Sequence, residues 1–98
     1  MSETEEILLT MIKHMVDEPD EVQLHMSEEI DDKKKPYLLI NVKVADKDIG
    51  AAIGRGGVIA KATREVIGVI GFREFNKRVF VRIDAPELPK NFFYKQEE

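Results

Sequence analysis

Ninety-eight residues without a cysteine make one domain near the small end of what folds unaided, and exclude both a disulfide framework and a thiolate zinc site. The net charge of −4 divides unevenly. Residues 1–32 hold eleven Asp and Glu against one Lys (−10), residues 33–82 twelve Lys and Arg against four acids (+8), and residues 83–98 two Lys against four acids (−2). No apolar run is long enough for a membrane span or a secretory signal, so a cytoplasmic protein is expected.

The first predicted element is a helix. Ile7, Leu8, Met11, Ile12, Met15 and Val16 recur at helical spacing, Ser2 and Glu5 have the spacing of a capping box, and Asp17-Glu18-Pro19-Asp20 stops the run. Val22, Leu24 and Met26 then alternate with polar neighbours as a half-buried strand. Residues 27–36 are polar, end in a proline and read as a connecting loop. A second strand follows through Leu38, Ile40, Val42 and Val44. Asp46 is placed to cap a short helix carrying Ile49, Ala52 and Ile53.

After Gly54-Arg55-Gly56-Gly57 a longer helix begins at Val58. Its predicted core face is Ile59, Ala62, Thr63, Val66, Ile67 and Ile70, closely packed through Ala60 and Ala62. Gly68 weakens it by about 1 kcal/mol relative to alanine, and Gly71 is expected to end it. Val79, Val81 and Ile83 make a third strand, with Phe80 on the opposite face. The domain is expected to occupy residues 1–85. In the tail, residues 86–98, Pro86 and Pro89 break any strand, and Asn91-Phe92-Phe93-Tyr94 is expected to fold back on the domain or to dock a partner.

The glycine-rich turn is the most informative stretch. Three glycines in four residues admit positive φ and close approach of another backbone. A helix starts directly behind them, so its free N–H groups and positive dipole end face the turn. Arg55 adds a full charge at the tip. The arrangement suits an anionic backbone, a phosphate chain more than a compact ligand. Known nucleotide loops do not fit. A phosphate-binding triphosphatase loop would need glycine five residues after Gly50, where Arg55 stands; a dinucleotide fingerprint counted from Gly54 would need glycine at Ile59.

Gly-x-x-G between two helices is how KH domains clamp single-stranded nucleic acid. Ile53-Gly54-Arg55-Gly56-Gly57, then Ala60-Lys61-Ala62-x-Arg64, then Lys77-Arg78-Val79-x-Val81-x-Ile83 resemble the small bacterial KhpA-type RNA-binding proteins, over roughly residues 5–84. The resemblance implies an α+β fold of type II KH topology, order αββααβ, with three helices on one face of a three-stranded sheet. It implies a non-enzymatic binder of single-stranded RNA, an RNA chaperone or post-transcriptional regulator, gripping about four nucleotides. Carried over residue by residue, Gly54, Arg55, Gly56 and Gly57 hold the sugar–phosphate backbone. Ile53, Ile59 and Ala60 floor an apolar groove, Lys61 and Arg64 reach phosphates or base edges, and Lys43 closes the other side. Gly56 stands where relatives often carry a second polar or basic residue, so loop charge rests on Arg55 and weaker binding is expected. The resemblance also implies pairing, with itself or with a second KH-containing protein.

Other chemistries find little support. Tyr37, Phe72, Phe75 and Phe80 are scattered and suggest no stacking platform; Phe80 is expected on the sheet face that one layer of helices leaves open. His14 and His25 lack ligand spacing, and Glu28-Glu29 and Asp31-Asp32 fall in the expected loop. No catalysis, metal or cofactor is expected. The competing reading is a protein-interaction module, with its RNA contact vestigial, that uses the open sheet face and the aromatic tail.

Overall fold

Ser2 and Glu5 form the expected capping box: the Ser2 hydroxyl accepts from the Glu5 amide at 3.1 Å, and the Glu5 carboxylate accepts from the Ser2 amide at 2.9 Å. From this cap runs helix α1, Glu3–Lys13. Leu8 and Ile12 are fully buried, while Ile7, Met11, Met15 and Val16 pack around them. The helix ends at Lys13, before the acidic stop, whose proline opens a short 3-10 turn at Pro19–Glu21. A computed structural model describes residues 1–83; the expected domain end at 85 and the aromatic tail lie outside the described residues.

Strand β1, Gln23–Ile30, pairs antiparallel with β2, Pro36–Lys43, over its whole length, from Gln23 opposite Lys43 to Ile30 opposite Pro36. The connecting loop expected at 27–36 is therefore shorter, residues 31–35. Its compactness comes from Asp31, whose carboxylate accepts from the amides of Lys33 and Lys35 at 2.8 Å each, while Lys34 takes a φ of 65°. Ser27, Glu28 and Glu29 read as loop because they are polar, yet they continue the ladder.

β2 also pairs in parallel with β3, Val79–Ile83, so the strand order is β1-β2-β3 with β3 at an edge. Leu38, Ile40 and Val42 of β2 and Val79, Val81 and Ile83 of β3 face the same side and are buried. Against them pack Leu8 and Ile12 of α1, Ala52 of α2 (Ile49–Ile53), and Ala60 and Ile67 of α3 (Val58–Phe75). The element order is αββααβ, three helices on one face of a mixed three-stranded sheet.

Three local expectations need correction. Asp46 does not cap α2; it lies exposed in a 3-10 turn, Asp46–Asp48. Asp48 is the buried acid instead, accepting from the amides of Asp17 and Glu18 at 3.0 and 2.9 Å and so tying the α1–β1 connection to the start of α2. Gly71 does not end α3, which runs to Phe75 and closes at Asn76 with a φ of 57°. A methyl group on Gly71 would stand 2.5 Å from Cγ2 of Val79, so this glycine lets helix and strand touch. Finally, Ala62 and Val66 face outward; the buried stripe of α3 is Ala60, Thr63, Ile67 and Gly71.

Candidate nucleic-acid interface

Between α2 and α3 the chain turns through all three loop glycines at positive φ: Gly54 at 81°, Gly56 at 63° and Gly57 at 84°. Gly54, with ψ 168°, sits where essentially only glycine is found, and a Cβ there would lie 2.4 Å from Cγ1 of Ile59 and 2.8 Å from its backbone nitrogen. Gly56 is open, with nothing within 4 Å of the place a Cβ would take. The turn closes on itself through Gly57 N–H to Gly54 O at 3.0 Å and Val58 N–H to Arg55 O. Among the described residues, no backbone carbonyl accepts from the amides of Arg55 and Gly56. Two donors and an exposed guanidinium thus stand at the tip, ahead of an eighteen-residue helix whose N-cap is Gly57.

The other expected site residues divide by position. Ile53 and Ile59 are half-buried beside the loop, with Ile59 directly beneath Gly54, while Ala60 is buried in the core. Lys61 and Arg64 stand on α3, one and two turns beyond the loop. They line a groove of about 900 Å3 that runs between α3 and the free edge of β3, past Gly68 to Phe72, Arg78 and Phe80. Lys43 lies elsewhere. It alternates with the buried Val42 and so projects from the sheet face away from the helices, where it lines a recess of about 400 Å3 with Arg82.

Charge around these surfaces is partly neutralised. Ion pairs join Lys47 to Glu18 at 3.0 Å, Lys77 to Glu28 at 2.8 Å and Arg78 to Asp31. Asp31 is held below the usual carboxylate range, chiefly by the Lys35 amide and further by Arg78. Among the described residues Arg55, Lys61, Lys43 and Arg82 meet no carboxylate within ion-pair distance. Cations without such partners stand at the loop, along α3 and on the open sheet face, and also at Lys13 and at Lys33, Lys34 and Lys35 in the β1–β2 turn.

The sequence did not reveal one cluster. The Tyr37 and Phe80 rings meet edge to face, 5.2 Å between centroids at 78°, and the Arg78 guanidinium carbon lies 5.6 Å from both centroids. These aromatics look scattered along the chain; the parallel pairing of β2 with β3 brings them together.

The model of the KH domain of KhpA and KhpB matches residues 5–83. This chain belongs to the KhpA/KhpB KH-domain family. Curated relatives agree with the match. The RNA-binding protein KhpA of Clostridium acetobutylicum is 42% identical over 78 residues, covering 80% of this chain and 96% of that protein. The RNA-binding protein KhpA of Streptomyces coelicolor is 39% identical over 84 residues, covering 86% and 92%. The protein of the same name from Clostridium perfringens is 35% identical over 78 residues, covering 80% and 96%. The αββααβ chain described above is thus a type II KH fold, and every residue of the loop and of the groove along α3 falls within the KhpA/KhpB match. Among the described residues no group of three or more His, Asp or Glu side chains is placed to hold a metal, and no helix is long and apolar enough to cross a membrane.

Proposed function

We propose that this KhpA/KhpB-family protein binds single-stranded RNA without catalysing a reaction, gripping about four nucleotides at Gly54-Arg55-Gly56-Gly57. The observation that carries the reading is the fit of Gly54 against Ile59, which fixes a turn only glycine can make and leaves Arg55 and the loop amides at its tip. The relatives named RNA-binding proteins support RNA as the ligand. In this reading Ile53 and Ile59 floor the base groove, Ala60 supports them from the core, and Lys61 and Arg64 guide the phosphates into the channel along α3. A backbone clamp of this kind tolerates many sequences, which suits an RNA chaperone or post-transcriptional regulator acting on many transcripts.

A second reading, pairing with itself or with another KH-containing protein, is favoured by a separate observation. Val58, Val66, Val69 and Phe72 form an outward apolar ridge along α3, each about half exposed or more. Pairing would join two short RNA sites and raise avidity without new contacts.

Replacing Arg55 and Gly56 together by Asp tests the clamp. Two anionic side chains then oppose the phosphate path, and binding is expected to vanish while the protein stays folded, its thermal midpoint lowered by no more than the few degrees that about 1 kcal/mol costs, since Gly56 has open space but a φ of 63°. In the parent, contact with about three phosphates gives a log–log salt slope near −2, or roughly 20-fold over a four-fold rise in salt. A double variant that still binds at low salt would remove the loop from the site and favour the interaction module.

A further inference from the structure

The sheet face that carries no helix among the described residues is built in rows across the strands. His25 lies opposite Asn41, and Asn41 opposite Arg82; one row along is Gln23 opposite Lys43. In the other direction Leu39 lies opposite Phe80, with Tyr37 beyond. The face therefore offers two contrasting halves. One is the Tyr37–Phe80 ring pair, with Arg78 set 5.6 Å from both rings and anchored by Asp31. The other is the recess of about 400 Å3, whose polar lining is Gln23, His25, Asn41, Lys43 and Arg82, with two cations and no carboxylate.

We propose that this face is a second contact for single-stranded nucleic acid, taking nucleotides that extend beyond those held at the glycine loop. The chemistry of the two halves selects that occupant over a protein. Every base has a π-face that stacks on an aromatic ring, and aromatic side chains on neighbouring strands are how other sheet surfaces seat single-stranded bases. Lys43 and Arg82, free of ion pairs among the described residues, supply charge for phosphates. The two amides and the imidazole supply donors and acceptors for base edges.

Continuity with the loop comes from Phe80. It belongs to the ring pair and also lines the groove of about 900 Å3 whose other wall carries Lys61 and Arg64. Because β3 is the edge strand among the described residues, none of them separates that groove from the open face. A strand following α3 away from the loop crosses the β3 edge at Phe80 and reaches Arg82 and then Lys43. Lys43 thereby acts on the RNA from the far side of the sheet rather than across the groove. This inference rests on the reading of the loop as an RNA clamp; Val69 and Phe72 of the outward α3 ridge line the same groove, so pairing through that ridge would compete with this path.

Two labelled oligouridylates, one of about five nucleotides that the loop alone can hold and one of about twelve, separate the two sites by fluorescence anisotropy. Phe80→Leu and Arg82→Gln are expected to weaken the longer probe about ten-fold each, the scale of one stacked base or one charged contact, and Arg82→Gln, which lies outside the channel along α3, to leave the shorter probe unchanged. Arg82→Gln changes an edge-strand side chain outside the core and keeps the test valid if Phe80→Leu folds poorly. A longer-probe affinity within about two-fold of the parent in Arg82→Gln and in folded Phe80→Leu overturns the proposal. So does a result in which these variants alter only self-association, which assigns the face to a protein. Loss of the shorter probe from the unaltered protein instead refutes the loop reading, a different failure with a different signature.

Discussion

Gly54 and Ile59 are in contact so close that a single methyl group on Gly54 would overlap Cγ1 of Ile59, at 2.4 Å. Two penalties coincide there. The backbone angles of 81° and 168° belong to glycine, costing another residue about 1–3 kcal/mol, and the overlap adds to that. Gly54→Ala is therefore expected to shift the α2–α3 junction, lower stability in urea by about 2 kcal/mol or more, and abolish RNA binding. Gly56→Ala, with open space but a φ of 63°, should cost only about 1 kcal/mol and retain most of the affinity. Equal effects of the two changes would show that the contact with Ile59 does not set the loop.

The two glycines inside α3 make a matched pair with opposite outcomes. At Gly68 a Cβ would meet only Val79 O at 3.6 Å, an ordinary contact, so alanine gains its helix propensity and should stabilise by about 0.5–1 kcal/mol. At Gly71 the same Cβ would lie 2.5 Å from Cγ2 and 2.8 Å from Cβ of Val79. Overpacking of about 1–3 kcal/mol then outweighs the propensity gain, and Gly71→Ala should be net destabilising. Urea denaturation of the two variants checks the sign of each. Stabilisation by both would mean that α3 and β3 have room to separate.

That pair also shows why part of the fold was legible and part was not. Periodicity located all six elements, because Leu8 and Ile12, Ile40 and Val42, and Val81 and Ile83 repeat at the spacing their structures bury. A glycine late in a helix reads as a terminus by propensity alone; only the approach of Val79 reveals that Gly71 serves packing. The extra length of β1 was hidden because Glu28 and Glu29 lie on an exposed strand end, where polar residues erase the alternation. In the candidate site the loop was readable because its backbone angles demand glycine. Tyr37 and Phe80 were not, since their contact depends on a parallel strand pairing made by distant parts of the chain.

The outward ridge of α3 predicts self-association. Val69, 64% exposed, stands with Phe72, 53% exposed, on a helix whose opposite side is already buried against the sheet. Sedimentation should show a dimer of the 11.2 kDa chain at micromolar concentration, and Val69→Glu should return it to monomer. Because the position is exposed, the substitution should alter monomer stability by no more than about 0.5 kcal/mol. A parent protein that sediments as a monomer at much higher concentration would rule out self-pairing and leave only a second KH-containing protein as partner.

Glu74, near the end of α3, reaches the start of α1 and predicts an acid-sensitive contact. Its carboxylate accepts from the Thr4 hydroxyl, from the Thr4 amide at 2.8 Å and from the Glu3 amide at 3.2 Å. Those donors, the Thr4 hydroxyl foremost, hold its pKa below the ordinary glutamate value of 4.5, although partial desolvation works the other way. A carboxylate with a lowered folded pKa stabilises the fold in full above its unfolded pKa. That contribution is lost as pH falls through the unfolded value and on through the folded one. Glu74→Gln keeps the shape and an acceptor oxygen but removes the charge. Stability measured in urea should favour the parent near neutral pH, with the gap closing between about pH 5 and pH 3. Asp31, whose pKa is also lowered, remains in both proteins and cancels from the difference. A gap independent of pH would show that the Glu74 charge contributes nothing to the joint between α1 and α3.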